Sequence, residues 1–226
     1  MTTDLEKTNT FNYCMPVFGS ISGISNSKMT TNPEISNVFK LCMTILDSID
    51  NTSNFNESNE SNEFGTLDWT LLFSECSIDQ LSTIIFKSAI CNYPDVLHRA
   101  LIAFKKLNDD ALSKKYGEIL SATIANNGNL NCLKIAVLNG CVLSSSICTI
   151  AASNGHIEIL GWLQTQPCRW TADACAAAAT NGDLQTLIAL RTAKRFFEPC
   201  PWDERTCENA VKRGSLETLQ WARTNR

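Results

Sequence analysis

Four glycines, Gly128, Gly155, Gly182 and Gly214, recur at separations of 27, 27 and 32 residues, and their neighbours recur with them. A fixed period of this length means stacked units, none of which can bury its apolar residues alone, and it limits the fold more than any other feature of the chain. Two residues after the glycines stand Leu130, Ile157, Leu184 and Leu216; five after stand Leu133, Leu160, Leu187 and Leu219; seven after stand Ile135, Trp162, Ala189 and Trp221. Four and three before stand Ile124-Ala125, Ala151-Ala152, Ala178-Ala179 and Ala210-Val211. Small residues before the turn let paired helices approach closely, and large ones after it fill the space between units. Three segments open on Cys-x6-Cys: Cys141 and Cys148, Cys168 and Cys175, Cys200 and Cys207.

The unit that ends at Gly182 shows what each repeat is. Ala172-Asp173-Ala174-Cys175-Ala176-Ala177-Ala178-Ala179 is a strong helix former, with Thr171 placed to cap it. Asn181-Gly182 stops the helix, since glycine adopts positive φ without penalty. Asp183 is placed to cap a second helix, on which Leu184, Leu187, Ile188 and Leu190 share one face. The unit is helix, tight turn, helix, short loop.

Asn154-Gly155-His156-Ile157-Glu158-Ile159-Leu160 resembles the Gly-His-x-Glu-hydrophobic-hydrophobic stretch of ankyrin repeats. Cys200-Pro201-Trp202-Asp203-Glu204-Arg205-Thr206-Cys207 resembles a divergent ankyrin subtype common in large DNA viruses, algae and oomycetes, whose units end in Gly-Cys-Pro-Trp-Asp; Asn139-Gly140-Cys141 resembles its Gly-Cys junction. The likeness covers residues 117–226. It implies an all-α, ankyrin-like helix-turn-helix solenoid with shortened loops, and protein partners, host proteins if the source is viral. Two departures modify that expectation. The usual unit has about 33 residues, so this one is short by about six, in the loop that carries the projecting β-turn. The Thr-Pro-Leu-His signature is absent, and Cys148, Cys175 and Cys207 stand where its leucine would be. Helices with a stub of the β-finger are expected.

Composition excludes several function classes. With 226 residues and 44% hydrophobic content a core is available, while a net charge of −4 argues for neither nucleic acid nor a membrane surface. No apolar run approaches the roughly 18 residues of a spanning helix. The start of the chain, Met1-Thr2-Thr3-Asp4-Leu5-Glu6, lacks the charged and apolar segments of a secretory signal. A reducing, cytoplasmic compartment follows, with the nucleus as an alternative, and the 11 cysteines read as small buried hydrophobes. Cys-x6-Cys with two histidines, His98 and His156, is a poor zinc pattern, so no metal or cofactor is expected. Asn51, Asn56 and Asn59 match the glycosylation pattern, which matters only in the secretory pathway.

Residues 1–66 read as a largely disordered tail rich in Asn, Ser and Thr. They hold eight acidic and three basic residues, so the remainder of the chain carries net +1. Within the tail, Asn32-Pro33-Glu34 starts a helix over 33–49, with Ile35, Val38, Phe39, Cys42, Ile45, Leu46 and Ile49 on one face; it either caps the solenoid or docks in a partner's groove. Residues 67–116 form a degenerate helical repeat. There Ser77-Ile78-Asp79 precedes one apolar face, and Asn92-Tyr93-Pro94-Asp95 makes a turn with Asp95 as the cap of the next helix. Residues 117–226 form the recognisable repeats, interrupted by an excess of five residues around Phe196 and Phe197, which either anchor a partner or tuck against Trp202.

Phosphate-loop, metalloprotease and serine-hydrolase motifs are absent from the sequence. His156 reads as a locally bonded residue rather than a base. The reading that follows is a non-enzymatic protein–protein interaction scaffold, with no small-molecule substrate. The alternatives are a substrate-recruiting adaptor for a ubiquitin ligase, although no F-box is recognisable in residues 33–50 or 67–90, and a thiol enzyme. The glycine register assigns a recognition face to the first helices: Thr123, Asn126 and Asn127; Ile150, Ser153 and Asn154; Ala177, Thr180 and Asn181; Asn209, Lys212 and Arg213. Arg169, Asp173, Asp203 and Arg205 flank it on loop tips.

Overall fold

A computed structural model of the chain describes Phe73 and residues 76–107, 114–192 and 199–225, all within the unit Asn37–Arg226. The tail of residues 1–66, with its expected helix at 33–49, and the Phe196-Phe197 segment lie outside the described residues. What is described is all-α, with no strand among the described residues. The helices are α1 (Ile78–Ile90), α2 (Pro94–Leu107), α3 (Lys114–Asn127), α4 (Leu130–Leu138), α5 (Ser145–Ser153), α6 (Ile157–Leu163), α7 (Ala172–Asn181), α8 (Leu184–Thr192), α9 (Glu204–Arg213) and α10 (Leu216–Thr224).

Each odd-numbered helix pairs with the even-numbered helix that follows it, giving five hairpins. The hairpins lie side by side. α1, α3, α5, α7 and α9 pack each on the next; in the other row α2 packs on α4, α6 on α8, and α8 on α10. Residue size explains the two rows. On α7, Ala174, Cys175, Ala176, Ala178 and Ala179 are all buried, so its backbone lies close to both α5 and α9. The large residues sit on the other row. Leu133, Leu160 and Leu187 are at most 1% exposed, and each contributes about 1.5–3 kcal/mol by leaving water. The loops at residues 139–144 and 164–171 contain no strand.

The same turn closes four of the hairpins. Gly128, Gly155, Gly182 and Gly214 have φ of +71 to +78°, and each donates to the carbonyl three residues back: Ala125, Ala152, Ala179 and Val211. The next amide, of Asn129, His156, Asp183 or Ser215, donates to the carbonyl five residues back, at 2.9–3.3 Å. This double bond pattern satisfies carbonyls that a helix end otherwise leaves orphaned. The alanine pairs Ala151-Ala152 and Ala178-Ala179 therefore serve twice, as buried close-packing surface and as acceptors.

The first hairpin reaches a related turn by other means. Its positive φ falls on Asn92, at +61°, a residue type that tolerates this region. The Tyr93 amide bonds the Ser88 carbonyl at 2.8 Å. Ser77 caps α1 in a reciprocal box with Gln80. Asp95 is not the cap of α2: the helix starts at Pro94, and the Leu97 amide bonds the Tyr93 carbonyl. Proline has no N–H to satisfy and its φ is already helical, so the start moves ahead of Asp95. Thr171 does hold the cap position of α7, but its hydroxyl contacts the Asp173 carboxylate at 3.3 Å instead of a backbone amide. Asp183 behaves as expected, accepting from the Thr186 amide at 3.1 Å.

Two glycine substitutions separate the conformational cost from the packing cost. A Cβ on Gly214 meets nothing within 4 Å, whereas one on Gly128 would lie 2.6 Å from the His156 ring. Gly214→Ala is expected to lose about 1–2 kcal/mol from the left-handed conformation alone. Gly128→Ala is expected to lose about 1 kcal/mol more, because the displaced ring gives up its hydrogen bond. Urea denaturation of both variants checks this; equal losses would mean the ring does not seat on the turn.

Candidate recognition surface

The residues that follow the turn glycines tie neighbouring hairpins together. Asn129 Nδ2 donates to the Ala89 and Ile90 carbonyls at 2.7 and 3.0 Å, at the end of α1. His156 Nε2 lies 3.0 Å from the Asn126 carbonyl; that oxygen only accepts, so Nε2 carries the proton. Asp183 sits beneath Gly155, where an added Cβ would be 2.9 Å from its Oδ2. Ser215 lies beneath Gly182, whose carbonyl accepts from Thr218 Oγ1 at 3.4 Å. Sequence reasoning missed this row. Its signal was a polar residue after every glycine, hidden because Asn, His, Asp and Ser share no consensus. His156 also corrects an expectation: its bond is not local but reaches 30 residues back, because the stacking offset sets it over the preceding turn. His98 likewise bridges hairpins, its Nδ1 accepting from Asn139 Nδ2 at 3.1 Å.

Outside this seam lie the ends of the odd-numbered helices. Asn126, Ser153, Asn154, Thr180 and Asn181 are exposed there, with Asn127 half-buried. Several are tethered. Asn154 Nδ2 donates to its own helix at the Ile150 carbonyl (2.9 Å) and contacts Asn126 Oδ1 on the preceding hairpin at 3.4 Å. Asn127, Ser153 and Thr180 bond back to the Thr123, Ile150 and Ala176 carbonyls. Thr123 does not belong to this surface: it is buried, its hydroxyl on the Ile119 carbonyl, in a helix packed between α1 and α5. Ile150 and Ala177 are half-buried.

On the last odd-numbered helix, Lys212 and Arg213 are exposed and Asn209 is half-buried. Asn209 Nδ2 reaches the Ala176 carbonyl on α7 at 3.1 Å. Lys212 faces Glu208 at 3.8 Å. The stem of Arg213 lies along the preceding turn, with Cγ 3.1 Å from the position of a Cβ on Gly182. Its guanidinium is thereby held at the face while its methylenes pack.

Three of the residues expected on loop tips form a cluster, although Asp173 and Arg205 lie in the first turns of α7 and α9 and only Asp203 precedes its helix. Arg205 bridges Asp173 and Asp203, at 2.7 Å to each, and so links α7 to the start of α9. Asp203 also caps α9 through the Arg205 amide at 3.1 Å. The Arg205 side-chain hydrogen bond holds the Asp203 carboxyl below the usual carboxylate range. Arg169 is exposed on the loop that leads to α7. Arg191 lies 4.3 Å over the Trp202 ring and bonds the Cys200 carbonyl at 2.7 Å, and Trp202 meets Trp221 edge-on with centroids 6.1 Å apart. Trp221 is thus half-buried against an aromatic partner.

Seven of the nine described cysteines are buried. Burial pushes Cys132 and Cys141 up to about 12, and Cys200 is raised by the adjacent Cys175 thiol and by burial. Among the described residues, no group of three or more His, Cys, Asp and Glu side chains is placed to hold a metal ion. An open groove of 440 Å³ beside α9 and α10 is lined by Cys207, Glu208, Val211, Lys212, Leu219 and Arg223. Comparison with protein-family models, with curated proteins and with solved structures returned no match.

Arg205→Gln tests the cluster of Asp173, Asp203 and Arg205 by pH. The folded-state pKa of Asp203 is depressed, so its contribution to stability is present above the unfolded carboxylate pKa and is lost as pH falls through the folded value. The wild type is expected to melt slightly above the variant at neutral pH in low salt. The gap narrows at high salt, and it closes as acid protonates Asp203. A gap independent of both pH and salt would assign the effect to packing.

Proposed function

We propose that this chain is a non-enzymatic protein–protein interaction scaffold, an ankyrin-like helical solenoid with shortened loops whose recognition face runs along the ends of the odd-numbered helices. One observation carries the reading. The positions that make the stack repeat chemically as alanine, leucine, glycine and cysteine, while beside them the residue two before each glycine changes from Asn126 to Ser153, Thr180 and Lys212, and the residue immediately before it, Asn127, Asn154 and Asn181, gives way to Arg213. Along the row the chemistry runs from Asn126 and Asn127, through Ser153, Asn154, Thr180 and Asn181, to Asn209, Lys212 and Arg213. A frame that repeats under a surface that varies is how repeat proteins read an extended partner. The tethered side chains support this reading, since polar groups held in place lose less entropy on binding.

Chemistry finds little support. Thiols pushed up by burial are poor nucleophiles at neutral pH. Both imidazoles are engaged in hairpin seams. Among the described residues, no helix is long and apolar enough to cross a membrane. The partner is therefore read as a protein that presents amide-bonding groups toward α3–α7 and carboxylates toward α9.

The test is affinity capture with the full chain, followed by titration of the captured protein against variants. Ser153→Arg combined with Thr180→Arg is expected to weaken binding at least about tenfold, a loss of about 1.4 kcal/mol, with an unchanged melting temperature. Gln185→Arg, on the exposed side of α8, is expected to have no effect. Binding that survives the first pair and fails with the second would place recognition on the other row. A ligase subunit among the captured proteins would favour the adaptor alternative.

A further inference from the structure

The two cysteines of one Cys-x6-Cys segment belong to the same hairpin entry, but stacking brings thiols together across hairpins. Cys148, on α5, meets Cys168, on the loop entering α7, with Sγ atoms 3.1 Å apart. Both are fully buried. Cys168 also donates to the Ser144 carbonyl at 3.4 Å, which fixes its side chain toward α5. The arrangement recurs one unit on, where the Cys175 thiol is hydrogen-bonded to Cys200. The second cysteine of one segment thus faces the first cysteine of the next.

We propose that Cys148 and Cys168 form an oxidisable pair, a site at which a small hydroperoxide installs a disulfide that staples the third hairpin to the fourth. A disulfide needs about 2.05 Å between sulfurs, so the pair must close by about 1 Å. Cys168 lies on the loop of residues 164–171, not on a helix, so this movement does not disturb a helical ladder. Hydrogen peroxide supplies the oxidation. Local opening of the loop admits it, and the thiolate of one cysteine attacks an oxygen, breaking the O–O bond, forming a sulfenic acid and releasing hydroxide. The second sulfur then attacks the sulfenic sulfur, forming the S–S bond and expelling hydroxide. The protons of the two thiols convert both hydroxides to water. Two thiols and one hydrogen peroxide give one disulfide and two waters. A resolving thiol already in contact outcompetes further oxidation to the sulfinic acid. The pair is 20 residues apart in the chain and encloses all of α6, so the bond restricts the unfolded ensemble while joining elements that are neighbours in the fold.

The experiment treats the folded full chain with graded hydrogen peroxide, alkylates the remaining thiols, and maps non-reduced peptides by mass spectrometry. Half-buried Cys91 and Cys207 serve as internal references for peroxide access. The expected result is a Cys148–Cys168 linked peptide as the main intrachain product, with a melting temperature about 5–10 °C above that of the reduced protein. Cys168→Ala abolishes both the link and the shift, and Cys207→Ser preserves both. The proposal is overturned if Cys148 and Cys168 are recovered as alkylated thiols, as separate sulfinic acids or in links to other cysteines once the reference thiols have oxidised. The mapping of wild-type protein decides this without the variant, should Cys168→Ala fail to fold.

Discussion

The central hairpins of this fold depend on the seats that Gly128, Gly155 and Gly182 make for the hairpin that follows. At Gly128 the backbone adopts a φ of +78° and carries no Cβ, and the His156 ring occupies the space a side chain would fill. The ring then bonds the carbonyl of Asn126, a group at the very end of α3 that has no intrahelical partner. One residue type thereby solves three problems: it ends a helix, redirects the chain and leaves room for the next hairpin to dock. Asp183 under Gly155 and Ser215 under Gly182 use the same space with different chemistry. The seat is steric, and the hydrogen bond made within it is free to vary.

The seats fix the offset between hairpins, and the offset determines what else meets. It places α7, with its almost continuous small residues, between α5 and α9. It brings the loop cysteines of one unit against the helix cysteines of the previous one. It also lets Arg205 reach Asp173 across 32 residues of chain. The helix ends beyond the seam are neither in the core nor in the seam, and so their chemistry is free to vary from unit to unit.

The architecture was readable because its determinants are local and periodic. The glycine spacing, the alanine pairs and the leucine register each specify a backbone conformation or a face, and the all-α hairpins follow from them. What stayed hidden depends on which unit lies over which. His156, Asp183 and Ser215 look unrelated until their shared seat at the preceding glycine is seen, and Thr123 looks exposed until α3 is packed between α1 and α5. Asn92 shows a related limit. It takes the positive φ in the first hairpin with no glycine to announce it, so that hairpin read as a decayed repeat although its turn geometry is close to the others. Asp95 was misread as a cap because proline removes the need for one, whereas Thr171 holds the cap position while its hydroxyl turns to a neighbouring carboxylate instead of a backbone amide.

The most direct test of the account is residue-resolved amide hydrogen exchange on the folded chain. Turn amides in a mobile loop exchange rapidly. Here the amides of Asn129, His156 and Asp183 are bonded to carbonyls five residues back and lie within a packed seam. They are predicted to exchange as slowly as the mid-helix amides of α5 and α7, opening only with the stack itself. If those three amides exchange at loop rates while the helices on either side stay protected, the hairpins are held by helix packing alone and the glycine seats are not what joins them.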